Sequence, residues 1–76
     1  MTTTETRTLT SVAERVGCSL AHASRMRRGE RLPSREMQWR IRDAYQLTPE
    51  QMGIWDMLIE RHGAEGSAEF LGKLWD

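Results

Sequence analysis

Glycines followed a few residues later by hydroxyl side chains punctuate this chain: Gly17 by Ser19, Gly29 by Ser34 and Gly63 by Ser67. A glycine ends a helix by taking a left-handed conformation, and a serine or threonine starts one by bonding the free amides of its first turn. Punctuation at this spacing leaves room for short helices and nothing longer. Helices of two to four turns are marginal alone, so each must bury a face against the others. No run alternates polar and apolar residues as a half-buried strand would. The expected fold class is all-α, a compact helical bundle.

The apolar stripes place the helices. Leu9, Val12, Ala13 and Val16 recur at helical spacing before Gly17, with Thr8, Thr10 and Ser11 as rival caps, the last in a capping box with Glu14. Met1 to Thr6 offers no apolar face, so residues 1–7 are expected to form a flexible arm. Ser19 caps a second helix with Ala23 and Met26 turned inward, ended by Gly29. Ser34 caps a third, to about Tyr45, with Met37, Ile41, Ala44 and Tyr45 on one stripe. The sharpest start signal is Leu47-Thr48-Pro49-Glu50-Gln51-Met52: a cap, proline in the first helical position, glutamine in the third, and a staple from Leu47 to Met52. That fourth helix runs to about His62; Gly63 to Gly66 read as a hinge, and Ser67 as the cap of a last helix. Residues 8–62 are then the main domain and 63–76 a C-terminal helix for packing or dimerisation.

The net charge of zero over 76 residues hides an asymmetry. Up to Tyr45 there are nine arginines against five acidic residues; from Gln46 onward Arg61 and Lys73 stand against six acidic residues. Arginine alone supplies the positive charge of the basic half, and its planar fork suits phosphate and guanine. A solvated charged face is the plain alternative. Cys18 is single, so no internal disulfide forms, and no apolar run is long enough for a membrane span or signal peptide. A cytoplasmic location, in a bacterial or phage-infected cell, is expected.

Two short helices joined at a glycine turn, the second capped and bearing arginines, meet the requirements of a helix-turn-helix. The segments Val12-Ala13-Glu14-Arg15-Val16-Gly17-Cys18-Ser19 and Ser24-Arg25-Met26-Arg27-Arg28-Gly29-Glu30-Arg31-Leu32-Pro33-Ser34 resemble the lambda-repressor and Cro-like (XRE-type) DNA-binding domains. The resemblance covers about Thr8 to Met52 and lies in both residue types and spacing. It implies a recognition helix from about Ser19 to Arg27, with Leu20, Ala21 and Arg25 facing base edges. Ser19, His22, Arg28 and Arg31 would lie near phosphates; Arg27, where many family members have Glu, and Arg35 are expected there by their charge. Arg25 has independent chemical support, because a guanidinium in the major groove bonds guanine O6 and N7 together. Leu20 serves equally as a core cap, and Arg27 equally as a partner for Glu30.

The chain departs from that family in two respects. Family members carry a helix before the motif, and only seven residues precede Thr8 here, so that helix is expected to be missing or vestigial. Arg42, where the family has a small or apolar residue facing it, agrees. The C-terminal helices would supply core in compensation, or join two subunits through Trp55, Leu58, Ile59, Phe70, Leu71, Leu74 and Trp75. Trp39, Trp55 and Trp75 read as core or interface residues.

The leading expectation is a sequence-specific regulator of transcription, of repressor type, binding a double-stranded DNA operator as a homodimer. The alternatives are a protein-interaction module, antitoxin-like or antirepressor-like, and an excisionase-like architectural DNA-binding protein. Pro33-Ser34 leading into a helix argues against the strand wing of the last. Cys18, His22 and His62 lack the converging partners that a zinc site or a nucleophile needs. Neither enzymatic activity, nor a metal or other cofactor, nor a small-molecule substrate is therefore expected.

Overall fold

The computed structural model describes residues 4–75, with side chains from Thr8 onward. Five helices follow one another: α1 (Thr4–Val16), α2 (Leu20–Arg27), α3 (Arg35–Tyr45), α4 (Pro49–His62) and α5 (Ala64–Trp75). Among the described residues none is in a strand, and no helix is long and apolar enough to cross a membrane.

Three of the starts follow the expected capping chemistry. Ser19 Oγ accepts from the His22 amide at 3.0 Å and Ser34 Oγ from the Met37 amide at 3.1 Å. At Thr48 the box is complete: Gln51 N–H donates to Thr48 Oγ1 at 3.1 Å, and Thr48 N–H donates to Gln51 Oε1 at 2.9 Å. Each cap satisfies an amide that the first turn leaves without a carbonyl, a contribution of roughly 0.5–2 kcal/mol.

The two ends of the chain differ from expectation. α1 begins at Thr4 rather than near Thr8, so much of the expected arm is helix; Met1 to Thr3 lie outside the described residues. Once Leu9, Val12, Ala13 and Val16 are buried the helix is nucleated, and each further residue costs little to add. Thr8, Thr10 and Ser11 therefore sit inside the helix rather than capping it. At the other end the hinge shrinks to Gly63, at φ 64 and ψ −136, and α5 starts at Ala64 instead of being capped by Ser67. Ser67 is fully buried and accepts a hydrogen bond from the Trp55 indole at 3.0 Å. A buried N–H must be paired, and that need outweighs a cap that solvent can replace.

α5 completes the core. It packs against α4 along its length and also lies on α2 and α1, while α3 rests on α1. Gly66 marks the closest approach of α4 and α5, where a Cβ would overlap the Leu58 carbonyl. Trp55 stacks on Phe70, ring centroids 5.2 Å apart and planes 8° from parallel. Trp55, Met26, Ile41 and Leu71 have essentially no exposed surface. The C-terminal helices thus supply core, as the sequence suggested. Of the residues expected at a subunit interface, Trp55, Leu71 and Trp75 are consumed within the chain, and Leu58, Ile59, Phe70 and Leu74 are half-buried. That burial has a simple cause: a bundle this small relies on its C-terminal helices for core.

Candidate nucleic-acid interface

The turn between α1 and α2 is built by Gly17, whose φ of 85 is open to glycine at no steric cost. Its amide and that of Cys18 both donate to the Ala13 carbonyl, at 2.8 and 3.0 Å, so the end of α1 is closed tightly. Arg40 on α3 braces the same turn by donating to the Gly17 carbonyl at 3.4 Å, with Glu36 holding its guanidinium at 3.0 Å. The sequence pattern gave Arg40 no such role, although the i, i+4 spacing from Glu36 was its visible signal.

α2 then leaves the turn with Ala23 and Met26 buried against the body. Its opposite side presents Leu20, Ala21 and Arg25, all exposed. Leu20 is 44% exposed, so it does not serve as a core cap. Ser24, half-buried, lies four residues after Leu20 and three after Ala21, which puts it on that side too. The expected contact set omitted it. α2 contains no acidic residue, and among the described residues no hydrogen bond or ion pair engages the Arg25 side chain. Its guanidinium stands ready for an external acceptor.

The expected phosphate contacts divide. Ser19, Arg28, Arg31 and Arg35 are exposed. Arg28 is held by Glu30, Nε to Oε2 at 3.3 Å, an exposed pair that solvent screens and a phosphate can displace. Two residues fall elsewhere. Arg27 turns back onto α5, where a Cβ at Gly72 would sit 3.0 Å from its Cζ. It shares that surface with Ala68, Glu69 and Lys73. The glycine in α5 was the visible clue. His22 is half-buried with its Nε2 enclosed, because its position falls beside Met26 on the inward flank. That nitrogen is closed to solvent.

Other reactive groups are locally occupied. Burial pushes the Cys18 thiol above its usual range, with Arg40 opposing. Tyr45 is raised by burial and drawn the other way by Arg15, whose guanidinium lies 4.4 Å from the ring centroid. Cys18 sits in the turn before α2, not on a shared helical face with His22. Among the described residues no three His, Cys, Asp or Glu side chains converge as metal ligands would. An open apolar groove of about 420 Å³ runs between α4 and α5, lined by Ile54, Leu58, Phe70 and Leu74 with Glu69 and Lys73 at its edge. Trp39 is half-exposed on the outer side of α3, outside the core that its size suggested. Comparison with family models, curated proteins and solved structures finds no match to this chain.

Proposed function

We propose that this protein is a sequence-specific regulator that binds double-stranded DNA by laying α2 in the major groove. The observation that carries the reading is the free Arg25 guanidinium, exposed between Ala21 and Arg28 on a helix without acidic residues. Arg25 reads a guanine through O6 and N7, and Leu20 and Ala21 meet thymine methyls. Ser19, Arg28 and Arg31 take phosphates and fix the register of the helix in the groove. Arg35 stands in the first turn of α3, outside the recognition helix. The resemblance to the lambda-repressor and Cro-like domains supports the same assignment, and with it a repressor role without enzymatic activity.

The regulator acts on DNA as a homodimer. Two recognition helices then enter half-sites about 34 Å apart, one turn of the duplex. A molecule of 35 × 23 × 19 Å fits that spacing with copies side by side. Arg25→Ala tests the base contact: specific binding should weaken by about 1–3 kcal/mol, with preference lost at one base pair of each half-site. Arg31→Ala should instead weaken binding to all sequences alike and reduce the salt slope by about one. Equal loss for specific and non-specific DNA in Arg25→Ala would refute the base-reading role.

A further inference from the structure

α3 carries a feature that neither the core nor the proposed DNA contacts use. Its inner side buries Met37, Gln38 and Ile41, while Trp39 points outward at 50% exposure. Four residues before Trp39 stands Arg35 and four after stands Asp43, both exposed. Residues spaced by four form a ridge along a helix surface, so Arg35, Trp39 and Asp43 make one row: positive, aromatic, negative.

We propose that this row is a self-association surface, and that its partner is α3 of a second copy packed in the opposite direction. When two such rows lie side by side, as in the commonest class of helix crossing, a two-fold axis at Trp39 brings each Arg35 to the other copy's Asp43. The tryptophans meet at the centre. Rows running in the same direction would set Arg35 on Arg35 and Asp43 on Asp43, so charge selects the antiparallel arrangement. A two-fold contact forms each pair twice from one sequence. The groups are available for it. No hydrogen bond or ion pair among the described residues engages the Arg35 side chain. Asp43 accepts from Arg42 Nε through Oδ1 at 3.1 Å, which leaves carboxylate lone pairs for a second guanidinium.

The α4–α5 groove is the competing surface. It is more apolar, but it belongs to the acidic half of the chain, whose Glu50, Asp56, Glu60, Glu65 and Glu69 would be brought towards their own copies. Lys73 stands at the edge of that groove, but acidic residues outnumber the cations of its half six to two, whereas the α3 row matches its charges one to one. One helix crossing buries less than a standard interface, so the association is weak and reversible.

Sedimentation of the full chain without DNA separates this contact from the DNA-binding reading. The chain should show a monomer–dimer equilibrium, and Trp39→Ala should remove the dimer. Arg35→Asp and Asp43→Arg should each weaken association about tenfold, and the double exchange should restore it. Both reversals place favourable charges at the ends of α3, so unchanged helical circular dichroism should show that folding survives. A chain that stays monomeric up to about 1 mM, the weak end of the affinity scale, would overturn the proposal. So would a double exchange that fails to restore the dimer, or an association that Leu58→Asp abolishes and Trp39→Ala does not.

Discussion

A single hydroxyl at Ser67 carries the polar content of the join between α4 and α5. It accepts the Trp55 indole proton at 3.0 Å in a site closed to solvent, so Ser67→Ala leaves a buried donor unpaired. Denaturant unfolding should show a loss of about 1–3 kcal/mol, and a loss below roughly 0.5 kcal/mol, the least that a made hydrogen bond contributes, would contradict the pairing. Gln46 is strained in the opposite sense. It ends α3 at φ 53, a left-handed conformation in a residue with a Cβ. Gln46→Gly should therefore stabilise the fold by about 1 kcal/mol in the same assay, and a destabilisation would refute the strain. Cys18 gives a pH test. Burial raises its pKa in the folded chain, so the folded state holds the thiol proton more tightly than the unfolded state. Its contribution to stability is present below the ordinary thiol range and lost as pH rises through the folded value. Alkylation near pH 8 should accordingly be slower in the folded chain than in the unfolded one, and equal rates would contradict the shift.

At the scale of elements, α2 has only Leu20 to Arg27 to hold itself together, with Ala23 and Met26 as its buried residues. A helix so short depends on its cap and on the support of α1 and α5. Ser19→Asp separates the two tasks assigned to the cap residue. Aspartate caps as well as serine and suits the positive end of the helix, so thermal stability should hold. DNA binding should weaken for every sequence, because a carboxylate now faces phosphate; undiminished binding would remove Ser19 from the interface. The elements themselves were largely legible in the sequence. Thr48-Pro49-Glu50-Gln51 fixed the start of α4 because each residue there has a local reason to be a helix start. The failures came where tertiary contact overrode local chemistry: Ser67 has a cap's residue type, but the Trp55 indole claimed it. Arg27 and His22 take orientations the sequence did not show, for a related reason. Their orientation depends on α5 and on the inward flank of α2, which spacing within α2 does not reveal. The exposure of Leu20, Ala21 and Arg25 was legible because helical periodicity alone separates them from Ala23 and Met26.

At the scale of the whole molecule, the basic residues lie on α1 to α3 and the loops between them, and the acidic excess lies on α4 and α5. Under the proposed function a duplex would attract the first half and repel the second, which would orient its approach. Binding should weaken steeply between 50 and 200 mM salt, as counterion release requires, and a salt-independent affinity would rule out phosphate contact as its main source. Selection of duplexes from a random pool by the wild-type chain and by Arg25→Ala, compared at one salt concentration, bears most directly on the recognition helix. The wild type should enrich a motif whose half-sites contain a guanine, and Arg25→Ala should lose the preference at that base pair while the flanking preferences persist. Enrichment of no sequence by the wild type, or of the same sequence by both, would contradict recognition of DNA through α2.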